Sequence, residues 1–224
     1  MPVSSPSIRH TISVVAIGAF NPAILSPIWF SAFNLIRKSE AADAQEKQVV
    51  SADVTVFSTD WFSVQVVQQR LVIETRDPSK SGPLRDLVKG LFGILEHTPI
   101  HAFGFNSDQA FDLPAKSTRD LWGKVAPPQL WTEVLKNPRP CRLDIDATRK
   151  DHDANRIHVI LESSADECTT VIRVNQHYDV KAVEDAPRSP AFLLSKLDTD
   201  WDEFLEFTRQ TADRIISLES EKGE

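Results

Sequence analysis

Two aspartates, Asp144 and Asp146, alternate along the predicted strand Arg142–Thr148, so both carboxylates lie on one face of that strand. The rise of an extended chain separates them by about 6.5–7 Å. Paired carboxylates of this kind bind Mg²⁺ or Mn²⁺ in nucleases and phosphohydrolases, and His158 on the next predicted strand could assist them. One hypothesis is therefore a metal-dependent hydrolase or nuclease that uses Asp144, Asp146 and His158 as catalytic residues.

The same residues have a structural interpretation that needs no metal. If the apolar faces of the two strands align, the register places Asp146 opposite His158. It also places Arg142 opposite Glu162. Opposite charges on neighbouring strands stabilise a solvated sheet face, and alternating apolar and polar residues are typical of a sheet with one solvated face. We prefer this interpretation, and we predict neither a bound metal nor a cofactor.

A second polar group lies in the run Glu96–His101, with Asn106 and Asp108 downstream. Histidines beside a carboxylate could form a metal or acid–base site. However, the spacing matches none of the signatures HExxH, CxxC, GxSxG or GxxxxGK. His97 at a predicted helix C-terminus complements the helix dipole, so we favour a structural role for this group as well.

The composition excludes several classes of protein. The 224 residues are 41% hydrophobic and carry a formal net charge of -7, which is typical of a folded chain. An isoelectric point near 5.4 argues against a dedicated nucleic-acid-binding domain. Only 7 glycines are present, which disfavours folds built on glycine-rich phosphate loops.

The acidic charge is concentrated near the C-terminal end. From Lys196 to Glu224 there are nine acidic and four basic residues, so the rest of the chain is close to neutral. This distribution weakens a further hypothesis, an acidic antitoxin-like or DNA-mimic inhibitor, which would need its charge arranged as a surface stripe. It also leaves open nucleic-acid contact through a local basic patch elsewhere.

The uncharged stretch of residues 10–36 is long enough to raise the question of a membrane span. The pairs Asn21-Pro22 and Ser26-Pro27 interrupt it, and each pair combines a preferred helix cap with proline at the first helical position. We therefore predict a buried strand at Thr11–Phe20, then a short helix to about residue 36. We expect no membrane span and a cytoplasmic location.

The rest of the chain predicts an α+β fold with two antiparallel β-meanders, in one or two sheets, and amphipathic helices packed mainly on one face. We expect one domain, or two similar lobes at about residues 1–115 and 116–224.

The residues 37–48 are expected to be a solvated loop or a frayed helix end. The predicted strands are 54–57, 62–67, 71–73, 100–105, 110–113, 142–148, 156–162 and 169–174, with a hairpin turn at 106–108 and polar loops at 150–155 and 184–190. The predicted helices are 84–95, a helix capped by Ser117 that continues over 130–135 after Pro127-Pro128, and a last helix that begins at Asp200.

Four aromatic residues are candidates for a partner interface: Trp29, Phe30, Trp61 and Phe62. Trp and Phe are enriched in the cores of protein interfaces. Trp61 and Phe62 are adjacent within a predicted strand, so their rings are expected to face opposite sides of the sheet.

The two cysteines are expected to be buried free thiols. Cys141 and Cys168 enter the first and third strands of the second meander, and strands two apart are about 9–10 Å distant. That separation exceeds the reach of a disulfide. Unpaired thiols fit a reducing compartment.

The run Glu96–Asn106 with Phe111, after an amphipathic helix, resembles a pattern in sporadically distributed, uncharacterised bacterial proteins. The run Phe20-Asn21-Pro22, with Pro27 and Trp29-Phe30, adds to the resemblance. No activity follows from it. A sporadic distribution is typical of mobile or anti-phage defence genes, so the resemblance implies a multi-protein defence system as a context.

The function that we favour from the sequence is a non-catalytic interaction or assembly subunit with a protein partner or a second copy of itself. The absence of a catalytic signature supports it, as do carboxylates that strand pairing already explains. The hydrolase and the acidic inhibitor remain alternatives.

Overall fold

A computed structural model describes residues 7–149, 152–164, 168–180 and 190–218. The strands are β1 (Arg9–Gly18), β2 (Val49–Val50), β3 (Val54–Ser58), β4 (Ser63–Val67), β5 (Arg70–Thr75), β6 (Ile100–Asp112), β7 (Arg142–Arg149), β8 (His152–Ser163) and β9 (Thr169–Asp179). The helices are α1 (Pro27–Ala32), α2 (Lys38–Gln45), α3 (Ser81–Ile94), α4 (Ala115–Val125), α5 (Pro190–Thr199) and α6 (Trp201–Ser217). The described strands form one antiparallel sheet in the order β2-β3-β4-β5-β1-β6-β9-β8-β7. The predicted α+β class is confirmed.

The chain divides into two compact units, each built from separate segments. Unit 1 contains Met1–His10, Ser107–Asn175 and Phe204–Glu224. Unit 2 contains Thr11–Asn106 and Gln176–Glu203.

Cap residues before prolines shape the segment after β1, as predicted. The Asn21 side chain accepts a hydrogen bond from the Ala23 N–H at 3.2 Å, and a 3₁₀ turn begins between them. The Ser26 hydroxyl accepts one from the Trp29 N–H at 3.3 Å, at the start of α1. These side chains satisfy amide groups that have no partner within the helix.

Helix α1 ends at Ala32, so the prediction of a helix to about residue 36 is wrong. Asn34 has φ 58°, a left-handed conformation that asparagine tolerates better than most residues. Its N–H donates to the Ser31 carbonyl at 3.0 Å, and the Leu35 N–H donates to the Phe30 carbonyl at 2.9 Å. This pair of bonds is the Schellman motif, which terminates helices.

The segment 37–48 contains helix α2 rather than a loop or a frayed end. The Arg37 N–H donates to the Glu40 carboxylate at 2.8 Å, which satisfies an amide at the helix start. Ala41 and Ala44 are buried, so small side chains at a spacing of three residues form the packed face of the helix.

The predicted hairpin around residues 106–108 is wrong, because β6 is one continuous strand of 13 residues. The polar side chains that looked like a turn have partners along the strand instead. The Ser107 hydroxyl bonds His10 Nε2 at 2.9 Å, and Arg173 Nε donates to Asp108 at 3.2 Å. Satisfied polar groups can remain in a sheet.

Helix α4 begins at Ala115 after a Pro114 cap, so Ser117 lies inside the helix and does not cap it as predicted. The predicted continuation over residues 130–135 is also wrong. A 3₁₀ turn at Pro128–Leu130 is followed only by turns. A six-residue segment without buried side chains gains too little to form a helix.

The register of β7 and β8 is confirmed. Arg142 pairs with Glu162 and Asp146 pairs with His158. Strand β8 lies between β7 and β9, as the predicted second meander required. The polar loop predicted at 150–155 is cut short, because β8 already begins at His152, and residues 150 and 151 lie outside the described residues.

The long helices bury one face each. In α3 the buried side chains include Leu84, Leu91 and Phe92, and α6 begins at Trp201 directly after Asp200, as predicted. Helix α5 was not predicted, and the loop predicted at 184–190 lies outside the described residues up to residue 189. No helix in the described ranges has both the length and the hydropathy needed to cross a membrane.

Candidate functional site

The predicted catalytic residues lie on the solvated face of the strands at one end of the sheet. Asp144 and Asp146 project from β7, the last strand in the sheet order, and His158 projects from β8. His158 Nε2 contacts an Asp144 carboxylate oxygen. In the register, His158 faces Asp146 directly. Its side chain instead contacts Asp144, which is the diagonal neighbour two residues along β7.

Both aspartates form ion pairs with arginine side chains. Arg142 Nη2 donates to Asp144 at 3.0 Å, and Arg156 Nε donates to Asp146 at 2.8 Å. The hydrogen bond from Arg142 lowers the pKa of Asp144, with a smaller contribution from His158. The hydrogen bond from Arg156 lowers the pKa of Asp146. Both carboxylates are therefore held ionised by cations within the chain.

The ion pairs continue across the neighbouring strands of unit 1. Glu162 on β8 contacts Arg142 on β7 and Arg173 on β9. Arg173 also contacts Asp108 on β6 at 3.2 Å. The Arg173 hydrogen bond lowers the pKa of Glu162. This face is a ladder of alternating charges, which is the structural interpretation preferred from the sequence.

A divalent cation fits this donor set poorly. It would have to displace guanidinium groups from both aspartates and would then lie beside them. Within the described residues, no three His, Cys, Asp or Glu side chains are grouped so that they could hold a metal ion. The ladder therefore explains Asp144, Asp146 and His158 through sheet pairing.

The histidines of the run Glu96–His101 do not form a site with these residues. His97 lies after the end of α3, its side chain is 94% exposed, and it lies 3.4 Å from the Glu96 carboxylate. His101 is exposed on β6. His97 and His101 line different cavities.

The aromatic interface candidates belong to unit 2. Phe30 is 0% exposed and Phe62 is 3% exposed, whereas Trp29 and Trp61 are half-buried. The expectation that Trp61 and Phe62 face opposite sides of a strand is wrong. Both precede β4, and their ring centroids are 4.5 Å apart. Trp61 Nε1 also donates to Glu40 at 3.0 Å.

A buried polar network lies around Asp200 in unit 2. Tyr178 donates its hydroxyl to Asp200 at 2.8 Å, and Lys196 Nζ lies 3.2 Å from the same carboxylate. Burial raises the pKa of Asp200, but hydrogen bonds from Thr199, Tyr178 and Lys196 together lower it below its ordinary value. Gln176 donates in turn to the Tyr178 hydroxyl. This network stabilises an ionised carboxylate in the interior.

The most exposed apolar group in unit 1 was missed from the sequence. We call residues 130–135 the apolar turn. The exposed fractions of its large apolar side chains are 75% for Leu130, 51% for Trp131, 75% for Val134 and 54% for Leu135. The Trp131 carbonyl accepts from the N–H groups of Val134 at 3.1 Å and of Leu135 at 2.8 Å. Trp131, Val134 and Leu135 are thus spaced at i, i+3 and i+4, as neighbouring side chains on a helical turn are.

Strand β7 is exposed on both faces up to Thr148, and Arg149 at its end is buried. Residues 144–148 are all exposed, Leu143 is half-buried, and Ile145 is 46% exposed. Cys141, just before the strand, is exposed and Cys168 is half-buried. The prediction that both thiols are buried is therefore wrong. An end strand with apolar side chains uncovered on its inner face is unusual, because such strands are normally protected from edge-to-edge pairing.

Comparisons with known proteins do not identify a function for this chain. No family model matches the sequence, and no curated protein matches it. Among solved structures, the chain is similar to the di-domain ARO/CYC BexL from the BE-7585A biosynthetic pathway, with 15% sequence identity, a TM-score of 0.25 and 76% of each chain covered. A similarity of this size establishes no shared function.

Proposed function

We propose that the protein is a non-catalytic assembly subunit that associates with a second copy of itself through β7 and the apolar turn. The observation that supports this most directly is the exposure of β7 on both faces. The outer edge of β7 pairs with no described strand. An exposed edge of this kind is a template for another strand, and antiparallel addition would extend the existing sheet.

The sequence of β7 is self-complementary in one antiparallel register. If two copies pair around Leu143, each Arg142 faces Asp144 of the second copy. Residues that face each other across antiparallel strands share a face, so the charge ladder would continue from one copy into the next. On the other face, the two Leu143 side chains meet. Ile145, which is 46% exposed in the single chain, would lie against Cys141 of the second copy.

The apolar turn supplies further surface for association. Its four large apolar side chains are each at least half exposed, and contiguous exposed apolar groups of this kind mark interaction sites. The turn includes Trp131, and tryptophan is enriched among the few interface residues that contribute most of the binding energy. The apolar turn also precedes β7 by only six residues, so both features lie in unit 1.

Cross-linking at the proposed two-fold axis tests the register. Directly paired residues in antiparallel strands have Cα atoms about 4.5–5.5 Å apart, which is within disulfide range. In a background with Cys141→Ser and Cys168→Ser, Leu143→Cys is expected to oxidise to a covalent dimer. Val49→Cys, on the exposed strand β2 at the other end of the sheet order, is the matched control and is expected to stay monomeric.

Light scattering after size-exclusion chromatography tests the association itself. The wild-type chain is expected to show twice the monomer mass. Leu143→Lys places like charges directly opposite each other, and Val134→Asp places a charge in the apolar turn. We expect either change to weaken dimerisation at least tenfold, whereas Val49→Lys leaves it unchanged. A strictly monomeric wild type, or equal cross-linking of Leu143→Cys and Val49→Cys, would overturn the proposal.

We also propose that the protein works in the bacterial cytoplasm, within a multi-protein defence-type system. The exposed free thiol of Cys141 supports the location, because exposed thiols persist in reducing compartments. The genes that flank the coding sequence test the context. Neighbours of a defence or toxin operon are expected, and an operon of unrelated metabolic enzymes would contradict it.

A further inference from the structure

A cavity of about 600 Å³, which we call the basic cavity, lies in unit 2 where α2 and α3 begin. Arg37 and Lys38 line it from the start of α2, and Lys80 and Pro83 line it from the start of α3. Trp61 adds an aromatic side chain to the lining. We propose that the basic cavity binds a small phosphate monoester with an aromatic body. The proposal does not depend on self-association, which uses unit 1.

The three cations of the basic cavity form no ion pair with a described residue. Arg37 and Lys38 are exposed, and Lys80 is half-buried. Asp77 acts on Lys80 only from beyond ion-pair distance, and it does not line the cavity. A concave surface lined by charges of one sign concentrates ions of the opposite sign. The basic cavity therefore favours an anion.

Glu40 is the only acidic residue among the described residues of the lining, and the chain itself occupies its carboxylate. Its Oε2 accepts from the Arg37 N–H at 2.8 Å, and its Oε1 accepts from Trp61 Nε1 at 3.0 Å. With three cations and one carboxylate, the described lining has a formal charge of +2. A phosphate monoester carries about -1.5 to -2 at neutral pH, so its charge matches that of the lining.

The two helix starts add to the attraction of the side chains. Arg37 and Lys80 are the N-cap residues of α2 and α3. The first turn of α3 has no acidic residue, and no side chain caps it. Cations at this end of a helix oppose the helix dipole, whereas phosphate is stabilised there. A bound phosphate would therefore offset the dipoles and the side-chain charges together.

Trp61 favours an aromatic body on the ligand. It is half-buried, its indole N–H is bonded to Glu40 at 3.0 Å, and its ring centroid lies 4.5 Å from that of Phe62. A side chain held in this way loses little freedom when a ligand packs on it. The volume is within the range of about 300–1,000 Å³ for small-molecule sites. The basic cavity therefore has room for a phosphate and a ring together.

The binding test uses three probes that separate the charge from the ring. Phenyl phosphate carries the ring and two negative charges, phenyl sulfate carries the same ring and one charge, and inorganic phosphate lacks the ring. Calorimetric titrations of the wild-type chain are made at low ionic strength, where exposed charges are screened least. We expect phenyl phosphate to bind about threefold or more tightly than phenyl sulfate and inorganic phosphate. Equal affinities for phenyl phosphate and either other probe, or no binding of phenyl phosphate at millimolar concentration, would overturn the proposal.

Charge variants with opposite expected effects place the binding in this cavity. Lys80→Gln should weaken phenyl phosphate binding by about three- to fivefold, as for an exposed ion pair. Glu40→Gln removes the one negative charge of the described lining and should tighten binding, which a partly unfolded chain would not do. Lys47→Gln removes an exposed cation of unit 2 that does not line the cavity, and it should leave the affinity unchanged.

A further variant tests the aromatic contact. We expect Trp61→Leu to weaken phenyl phosphate binding by about threefold or more and to leave the affinity for inorganic phosphate unchanged. Circular dichroism shows whether each variant is folded. Wild-type affinity in a folded Lys80→Gln chain would place the binding elsewhere, and weaker binding in a folded Glu40→Gln chain would refute the charge argument. An equal loss of both probes in Trp61→Leu would exclude a contact between Trp61 and the ring.

Discussion

Two buried threonines offer the same substitution with opposite expected effects on stability. Thr118, in unit 1, has a buried hydroxyl with no hydrogen-bond partner among the described residues. Thr55, in unit 2, is 0% exposed and donates its hydroxyl to the Pro22 carbonyl at 2.7 Å. Valine keeps the β-branched shape of threonine and replaces the hydroxyl with a methyl group. Each replacement therefore changes the polar group and leaves the packing nearly unchanged.

The magnitudes follow from what each hydroxyl contacts. Removing an uncompensated buried polar group recovers part of its desolvation cost of about 1–3 kcal/mol, so we expect Thr118→Val to raise the free energy of unfolding by about 1 kcal/mol. Thr55→Val leaves the Pro22 carbonyl without its donor, and we expect a loss of about 1–3 kcal/mol. For a chain of this length, each kcal/mol corresponds to about 2–4 °C in Tm.

Urea unfolding at neutral pH, followed by circular dichroism, measures both effects. Because the two threonines lie in different units, the curves are fitted to two transitions wherever two are resolved. Thr170→Val is expected to raise the free energy of unfolding as Thr118→Val does, since the Thr170 hydroxyl is also buried without a partner in the described part of the chain. A destabilised Thr118→Val would refute the reasoning, because it would mean that this hydroxyl makes a hydrogen bond in solution.

Two further predictions concern packing and pH. A Cβ atom on Gly18 would lie well inside van der Waals contact with the Pro99 carbonyl oxygen, so Gly18→Ala should cost about 1–3 kcal/mol in urea unfolding. The exposed helical Gly93 has open space, and Gly93→Ala should instead gain about 0.5–1 kcal/mol; the opposite order would contradict the packing. Because the fold lowers the pKa of Asp200, the ionised carboxylate stabilises the folded chain at pH values above the pKa of Asp200 in the unfolded chain. This contribution is lost as the pH falls through the pKa of Asp200 in the folded chain. Tyr178→Phe should therefore destabilise the chain at neutral pH, by an amount that shrinks below about pH 4; a pH-independent loss would exclude this linkage.

Local chemistry in the sequence was enough to predict several elements. The alternation of β7 and β8 fixed their register, because a shift of one residue would turn every side chain to the opposite face. Asn21 and Ser26 marked the helix starts, because a cap acts on amides only two or three residues away. These signals depend on neighbours in sequence or on one adjacent strand.

Features that depend on distant partners could not be predicted in this way. The run at residues 106–108 resembles a turn until His10 and Arg173 are known to bind its side chains. The apolar turn has helical spacing, but nothing covers it within the described residues, where its large apolar side chains are exposed.

Strand β7 carries both the hydrolase hypothesis and the assembly hypothesis, and its ion pairs favour the second. Guanidinium groups remain protonated at every pH at which carboxylates are ionised. A metal ion would therefore always compete with Arg142 for Asp144 and with Arg156 for Asp146. The ion pairs lie on the polar face of β7. On its other face Ile145 is exposed, and its outer backbone edge pairs with no described strand. A second antiparallel strand would pair with that edge and cover that face while the ion pairs stay intact, which is why we favour association through β7.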